Sequence, residues 1–375
     1  MLALLRRYIQ NLQGTRTNRQ LVIIESDDWG SIRMPNESVY RNLQNMGANP
    51  KKDPYLRYDS LASENDLQAL FEVLSSIKDS KGNPAILTAN SIMANPDYDR
   101  IRANNFEKYI WEPFTETLKR YPAHHKSFDL WKEGMEHQVF RPQYHGREHL
   151  NVYQWMKGLR SRNEWLLRAF DHRMISISSQ PSKMRFGYME GLDFFSVAER
   201  KEKEIILKEG MKVFEELFGF TSLSFIANCY IWDSGTEQNL SELGVKYLQG
   251  ISNQIVPVLD ESGTHRHTYK RHYFGQKNTL GQRYLIRNVF FEPSLEPQKN
   301  WVSDCLKRIN IAFRCKKPAI IGSHRLNYIG FIEERNRTKT LAQLQVLLKE
   351  VVKRWPKVEF VSTDELDSIW KNPLK

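Results

Sequence analysis

The sequence predicts an α/β protein built on a mostly parallel sheet or barrel. Two observations support this class. Short apolar runs alternate with amphipathic helical patterns along all 375 residues, and polar side chains follow directly after the runs at Leu21–Glu25 and Ala319–Gly322. Alternating strands and helices are typical of βα units, in which helices cover the faces of a parallel sheet. In such folds the functional side chains gather at the C-terminal ends of the strands.

Seven apolar runs have the length and composition of buried strands. They are Leu21–Glu25, Ala85–Ala89, Met174–Ser178, Leu223–Ala227, Tyr284–Val289, Ala319–Gly322 and Val358–Val361. Helices are predicted where apolar residues recur at three-and-four spacing. These segments are Glu64–Ser76, Ala198–Leu217, Trp301–Phe313 and Thr340–Lys353, with a shorter one at Asn36–Asn45.

The domain organisation is predicted to be one catalytic domain over residues 1–375. The chain is 40% hydrophobic and lacks an internal repeat or a linker rich in Gly, Pro or Ser, so it can bury one large core. Residues 33–141 are predicted to form a long excursion after the first strand, with aromatic side chains that belong mostly to the core and partly to a sugar-binding groove. Residues 255–283 are predicted as an exposed loop region.

The cysteine content and the lengths of the apolar segments indicate a cellular compartment. The cysteines Cys229, Cys305 and Cys315 are odd in number and lack metal-type spacing, which favours a reducing environment over a disulfide framework. The apolar run Leu2–Leu5 is too short for a secretory signal, and no stretch approaches the length of a membrane span. We therefore expect a cytoplasmic protein.

The formal net charge of +11 indicates an anionic partner. An acidic glycan, a phosphate-bearing carrier and the anionic inner face of a membrane all fit, and the last predicts peripheral membrane contact. Because the basic residues are dispersed, plain surface solvation is the alternative. The segment Tyr269–Tyr273 mixes bases and aromatics, but nothing else in the sequence favours nucleic acid.

Two adjacent aspartates, Asp27 and Asp28, close the first apolar run. A single aspartate there is often only the N-cap of the next helix. Two neighbouring carboxylates repel each other unless a cation or a shared proton compensates, so the pair favours a functional role.

Two histidines, His145 and His149, lie four residues apart, a spacing that can place both rings on one side of a helical turn. Taken alone, they fit surface or hydrogen-bonded histidines. Combined with the strand-end aspartates, they predict a divalent metal site with mixed oxygen and nitrogen ligands.

The chain resembles the polysaccharide deacetylase family, the NodB-homology carbohydrate esterases that include chitin and peptidoglycan deacetylases. Three motifs carry the resemblance: Ser26-Asp27-Asp28, the segment His145–His149, and Ile320–His324. A fourth segment, Phe360–Leu366, is similar to the family's final strand and helix start. The resemblance covers Leu21 to about Trp370 and implies a distorted (β/α) barrel of about seven strands.

The resemblance implies a metal-dependent hydrolase that removes acetyl groups, N-acetyl above all, from a glycan or a lipid-linked sugar. By analogy, Asp27 is the catalytic base and His324 the catalytic acid. Asp28, His145 and His149 bind one divalent metal, expected to be Zn²⁺, with Co²⁺, Ni²⁺ or Mn²⁺ as alternatives.

The groove motif of the family is less well matched. The segment Phe225–Trp232 lacks its Arg and Pro, and Gly146 replaces a hydroxyl residue between the histidines. Backbone amides near Tyr230 are expected to stabilise the oxyanion. The predicted substrate or oxyanion residues are Asn228, Tyr230, Trp232, Trp301 and Arg325.

Two rival functions remain open at this point. The pattern His145-x-x-Glu148-His149 also matches the inverted zinc-protease motif, which requires a continuous helix, whereas Pro142 and Gly146 favour a strand-to-loop context. The second rival is a glycan- or carrier-binding protein on the same fold that has lost turnover. Bound metal without acetate release distinguishes it from the hydrolase.

Overall fold

A computed structural model describes residues 2–46, 50–177 and 186–371. Its strands are β1 Gln20–Trp29, β2 Leu87–Ser91, β3 Ala94–Pro96, β4 Trp111–Pro113, β5 Phe140–Tyr144, β6 Ser224–Ile226, β7 Tyr247–Gly250, β8 Asn253–Leu259, β9 His265–Arg271, β10 Arg283–Ile286, β11 Val289–Phe290, β12 Ala319–His324 and β13 Val358–Phe360. Its helices are α1 Leu2–Leu12, α2 Glu37–Asn45, α3 Pro54–Tyr58, α4 Glu64–Ser75, α5 Tyr98–Ala103, α6 Phe114–Lys119, α7 Ser127–Glu136, α8 Val152–Arg160, α9 Glu164–Asp171, α10 Val197–Phe218, α11 Ser234–Glu242, α12 Trp301–Arg314, α13 Glu334–Arg354 and α14 Asp367–Lys371.

Nine strands of the described ranges form one parallel sheet. Eight follow the order β10-β7-β6-β5-β2-β1-β12-β11, and β13 pairs with the first residues of β1. The strand β1 is buried along nearly its whole length, as expected for a parallel strand covered on both faces. This confirms the predicted α/β class.

The two ends of this strand order meet through the chain itself. β10 and β11 lie at opposite ends of the order but are separated only by Arg287 and Asn288. The backbone N–H of Arg287 donates to Gly250 at the end of β7, and the N–H of Asn288 donates to Ile320 in β12. These two consecutive hydrogen bonds join the edges, so the sheet is curled into a distorted barrel.

The alternation of β1 assigns its side chains to two environments. Val22 and Ile24 lie in the main hydrophobic core, which includes residues of α4, α10, α12 and α13. Leu21 and Ile23 lie in a second cluster with residues of β7, β10 and β12. Since β7 and β12 are distant in the strand order, this second cluster occupies the interior of the barrel. Glu25 and Asp27 are the next alternate residues of β1, so their side chains lie on the same inner side as Leu21 and Ile23.

Six of the predicted strands are confirmed, although Tyr284–Val289 is divided into β10 and β11. The strand predicted at Met174–Ser178 is wrong over residues 174–177, which form no strand, and Ser178 lies outside the described residues. All five predicted helices are confirmed, with α13 beginning earlier than predicted, at Glu334. The sheet has two strands more than the predicted seven.

Residues 33–141 are more than an excursion. They contain β2, which pairs with β1 inside the sheet, and the start of β5, which pairs with β2. Residues 255–283 are likewise not a simple loop, since β8 and β9 form an antiparallel hairpin in register from Asn253↔Arg271 to Leu259↔His265. Among the described helices, none is long and apolar enough to span a membrane.

Candidate active site

Asp27 and Asp28 lie at the C-terminal end of β1, and both line the same cavity. Consecutive side chains of a regular strand point to opposite faces. Here Asp28 has a φ of +74°, and the pairing with β2 shifts register between Ser26 and Trp29. Aspartate tolerates this left-handed conformation better than most residues do. The irregularity therefore turns two neighbouring carboxylates towards one space.

Asp27 is held by a buried arginine. Nη1 and Nη2 of Arg287 each lie 2.6 Å from one oxygen of Asp27, and Nδ2 of Asn90 donates to Oδ1 at 2.7 Å. Nε of Arg287 also donates to Glu25, the preceding inward residue of β1, at 2.7 Å. Burial raises the pKa of Asp27, but the charge and hydrogen bonds of Arg287 outweigh it and bring the pKa to about 2. Asp27 is ionised at neutral pH.

Arg287 can occupy this position because the residue of β12 beside its side chain is a glycine, Gly322. A Cβ added to Gly322 would lie 2.6 Å from Cδ of Arg287. Gly322 is directly opposite Glu25 in the β1–β12 register. A side chain at this position would displace Arg287 from its two carboxylates.

His145 follows β5 directly, and His149 lies in the loop beyond it. Gly146, with a φ of +120°, allows the backbone to turn between them. The two rings meet edge to face with centroids 5.2 Å apart. The histidines thus converge through a loop that follows a strand, which is the context that Pro142 and Gly146 predicted.

One oxygen of Asp28 faces both histidines. Its Oδ1 is 3.4 Å from Nε2 of His145 and 3.4 Å from Nε2 of His149, and all three side chains are buried. The other oxygen, Oδ2, accepts from Nη2 of Arg33 at 3.1 Å. Although burial raises the pKa of Asp28, the charge of Arg33 holds it well below the usual range.

The donor atoms of this cluster fit a metal site. Nδ1 of His145 lies 2.7 Å from the carbonyl oxygen of Ile226, and this hydrogen bond turns Nε2 towards Asp28. Burial lowers the pKa of His149 to about 3, against the attraction of Asp28, so its ring is neutral. Nε2 of both rings and Oδ1 of Asp28 face one small space, and three unprotonated donor atoms so placed would repel unless a cation lay between them. The donor set therefore suits a divalent metal.

His324 ends β12 directly opposite Asp27 in the register, with Nε2 of His324 3.9 Å from Oδ2 of Asp27. Its Nδ1 lies 2.6 Å from Oε1 of Glu292, and Glu292 is held in turn by Nδ2 of Asn327 at 2.6 Å. Burial lowers the pKa of His324, but the charge and hydrogen bond of Glu292 raise it to about 9. At neutral pH this histidine carries its proton.

The five predicted site residues Asp27, Asp28, His145, His149 and His324 all line one cavity of about 470 Å³. Much of the remaining wall is apolar or aromatic. It includes Ile32, Tyr55, Leu56, Ile175, Ile177, Phe186, Tyr188 and Met189. This volume lies within the range of small-molecule sites and encloses a compound of about monosaccharide size.

Of the predicted substrate or oxyanion residues, only Tyr230 lines the cavity. Its backbone N–H donates to Ala227, and the N–H of Ile231 donates to Asn228. These two amides already have backbone partners, so an oxyanion contact from either would have to replace a hydrogen bond. The side chain of Asn228 is buried and donates to the carbonyl of His145 at 3.1 Å, so it supports the loop of the histidines.

The other three predicted substrate residues lie outside the cavity. Arg325 is fully buried, with its guanidinium bound to Asp59 and to the carbonyl of Ser31, and it does not line the cavity. Trp232 is buried and donates to Glu237 at 2.9 Å. Trp301 begins α12, donates to the carbonyl of Glu296 at 3.0 Å and is covered by the ammonium of Lys299.

Four residues around the site were missed by sequence reasoning: Arg33, Asn90, Arg287 and Glu292. Each follows the end of a strand or belongs to one, which was the only available signal. None belongs to a recognisable motif. Arg287 and Glu292 control the protonation of Asp27 and His324, because each supplies the opposite charge inside a buried site.

The inverted zinc-protease alternative requires Glu148 to face the reacting groups from a helix. Residues 145–149 form a loop. The carboxylate of Glu148 accepts from Nε of Arg147 at 2.6 Å and from the hydroxyl of Tyr109 at 3.1 Å. Since Glu148 is directed away from the cavity, the structure contradicts that mechanism.

No family model matches the chain, and no curated protein matches it in sequence. Solved structures with similar folds include the 4-alpha-glucanotransferase from Thermococcus litoralis, with 8% identity and a TM-score of 0.49 over 95% of this chain, which spans only 41% of that protein. The Puue allantoinase has 12% identity and a TM-score of 0.48, with 94% of this chain and 91% of that one covered. A protein from Pseudomonas aeruginosa described as a probable polysaccharide deacetylase has 10% identity and a TM-score of 0.46, with 96% and 94% covered.

Proposed function

We propose that this protein is a metal-dependent hydrolase that removes N-acetyl groups from a glycan or a glycan precursor. The observation that carries the proposal is the meeting of Oδ1 of Asp28 with Nε2 of His145 and of His149 at 3.4 Å, beside Asp27 and His324. The resemblance of the motifs containing these residues to those of polysaccharide deacetylases supports the choice of reaction.

The two groups beside the proposed metal site have opposite protonation states. With a pKa of about 2, Asp27 is ionised at neutral pH, whereas His324, with a pKa of about 9, is protonated. Titratable pairs whose environments drive their pKa values apart are typical of acid and base partners. Asp27 is thereby suited to accept a proton and His324 to donate one.

A carboxylate with so low a pKa is a weak base. It removes a proton efficiently only from a water more acidic than bulk water. When bound by Asp28, His145 and His149, a divalent metal supplies a Lewis acid that lowers the pKa of water to about 7 and polarises a carbonyl. Zinc suits this donor set, and Co²⁺, Ni²⁺ and Mn²⁺ are alternatives.

The residues of this chain then act in sequence. Asp27 takes a proton as the water oxygen forms its bond to the acetyl carbon. His324 gives its proton to the sugar nitrogen as the C–N bond breaks, which releases acetate and an amine. An amine is a poor leaving group until it is protonated, so the charged state of His324 favours an amide over an ester as substrate.

The cavity supports a small acetylated unit as the group that is bound. About 470 Å³ holds one sugar ring, and Tyr55 and Tyr188 are aromatic residues of the wall that can contact its apolar side. We extend the proposal to an acetylated sugar in a soluble precursor or on a lipid-linked carrier, handled in the cytoplasm or at the inner face of the membrane.

The direct test measures metal content and acetate release together. The purified protein is offered acetylated monosaccharides, short chitin-type oligomers and lipid-linked acetylated sugars, and the His149→Ala variant serves as the control. We expect one metal ion at this site and release of acetate from a small N-acetylated sugar, both lost in the variant. Bound metal without acetate release from any compound favours the binding protein.

A further inference from the structure

A second cluster of possible metal ligands lies outside the site described above. Its members are Asp193, His265 and His267, and one donor atom of each lies within 4.8 Å of the others. Asp193 follows residues 186–189, which line the active-site cavity, and the histidines lie on β9 of the hairpin. The proposed function uses none of the three.

The donor atoms of these three side chains lie as close together as the ligands of one metal ion do. Nε2 of His265 lies 3.0 Å from Oδ1 of Asp193, and Nε2 of His267 lies 3.0 Å from Oδ2. Positions 265 and 267 are alternate residues of one strand, so both rings project from the same face, and their centroids are 4.6 Å apart. Donor atoms around one tetrahedral metal lie roughly 3–3.5 Å apart.

The surroundings favour a cation. Asp193 is buried, with 1% of its surface exposed, and a buried carboxylate needs a compensating charge. Asp193, Glu199 and Glu202 all act electrostatically on the same buried ammonium, Lys203, whose pKa burial lowers to about 8. Nζ of Lys203 donates its hydrogen bond to the side chain of Asn151. The charge of this one ammonium therefore faces several carboxylates at once.

The histidines are also accessible to an incoming ion. Their side chains are 16% and 21% exposed, whereas that of Asp193 is 1% exposed. A metal bound here would have a protein ligand set of two imidazoles and one carboxylate, with water available from the exposed side. Imidazole ligands favour zinc and neighbouring transition metals over calcium or magnesium.

We propose that Asp193, His265 and His267 bind a second divalent transition metal ion, of which zinc is the preferred example. Such an ion ties the β8–β9 hairpin to residues 186–193, here called the wall segment because its first four residues line the cavity. The wall segment is fastened on its other side by Asn151, whose side chain donates to the carbonyl of Asp193 at 2.8 Å. The ion therefore fixes a cavity wall and takes no part in the reaction.

The experiment counts zinc in the full chain. Protein stripped with a chelator is reloaded with Zn²⁺, freed of excess, and analysed by elemental mass spectrometry. We expect two zinc ions per chain for the unaltered protein and one for His149→Ala, in which only the active-site cluster is disrupted. No zinc retained by a folded His149→Ala variant contradicts the second site.

The converse variant replaces both hairpin histidines, His265→Asn with His267→Asn. It should lose one zinc ion and keep the other, while Arg266→Gln, between them on the same strand, should keep both. Circular dichroism checks that each variant is folded. An unchanged zinc count in the double variant overturns the proposal.

Crystals of the unaltered chain soaked in Zn²⁺ settle the matter even if a variant does not fold. Anomalous difference density should lie within bonding distance of both Nε2 atoms and of Asp193. Direct hydrogen bonds between the imidazoles and Asp193, with no density between them, refute the site. Failure here leaves the active-site proposal intact, and failure at Asp28 leaves this one intact.

Discussion

Arg287 holds both carboxylate oxygens of Asp27, with Nη1 and Nη2 each 2.6 Å from one of them. The same guanidinium reaches Glu25, so one cation serves two buried acids at the top of the barrel interior. Arg287 is also one of the two residues that join β10 to β11 and close the sheet. The closure of the barrel and the ionisation of Asp27 thus depend on the same residue.

The first prediction concerns the glycine that makes room for this arginine. Gly322→Ala should displace Arg287, lower the free energy of unfolding by about 1–3 kcal/mol and reduce kcat by more than about tenfold. Metal content should not change, because Gly322 contacts Arg287 and not the cluster of Asp28. Gly250→Ala is the matched control, since a Cβ there meets its nearest neighbour at an ordinary 3.7 Å. Equal effects of the two substitutions would falsify the steric argument.

The second prediction separates the two adjacent aspartates. Asp27→Asn should lower kcat by about 10²–10⁴-fold while metal remains bound, because it removes a base. Asp28→Asn should lose metal first, because it removes a charged ligand that faces two imidazoles. Metal analysis and acetate release on the same preparations make the comparison. Equal metal loss in both variants shows that the two roles are wrongly divided.

A third prediction follows from the raised pKa of His324. Its protonated form is present at neutral pH and disappears as the pH rises through about 9, so kcat/KM should fall on the basic side near that value. Glu292→Gln removes the main cause of the elevation, and burial then lowers the pKa. The basic limb should move to lower pH in this variant. A pH profile with an unshifted basic limb assigns that limb to another group.

The raised pKa of His324 also makes the free energy of unfolding depend on pH. A histidine whose pKa is higher in the folded than in the unfolded state stabilises the fold fully below the unfolded value of about 6.5. This contribution is lost as the pH rises through about 9.

The fourth prediction tests the acid role of His324 against a merely orienting one. His324→Ala should keep its fold and its metal but lose about 10²–10⁴-fold in activity towards N-acetyl sugars, whose leaving amine needs a proton. Activity towards an aryl acetate should fall much less, since a phenolate leaves without help. Losses of equal size on amide and ester substrates indicate that His324 orients the substrate instead.

The fifth prediction addresses the basic surface. If the net charge of +11 draws the protein to an anionic membrane face, sedimentation with vesicles that contain anionic lipid should decrease as salt is raised. Vesicles of neutral lipid are the control. Binding that is equal for both kinds of vesicle, or that is insensitive to salt, rules out this electrostatic contact.

The sequence determined the two strands that position Asp27 and His324. Asp27 and His324 each follow an apolar run long enough to be recognised, and parallel strands present their C-terminal ends at the same edge of a sheet. That physical rule was sufficient to place two residues nearly 300 positions apart in one site. The spacing of His145 and His149, taken together with the strand-end aspartates, then indicated these two histidines.

Other strands were missed because their sequences lack the expected pattern. β5 contains Pro142, which normally argues against a central strand. β9 runs His265-Arg266-His267-Thr268-Tyr269-Lys270-Arg271, which is polar on both faces and has no apolar alternation to reveal it. Its stability comes from pairing with β8, a contact that a local pattern does not contain.

Only the tertiary structure decided the pKa values of Asp27 and His324. Arg287 and Glu292 are single charged residues without a motif, and nothing local to them predicts burial beside Asp27 and His324. Conversely, Arg325 resembled a substrate contact but is bound to Asp59 inside the protein. A pKa depends on burial and on charges within a few ångströms, and these distances exist only once the barrel has closed. The sequence by itself therefore indicated which residue types meet, whereas folding set their charge states.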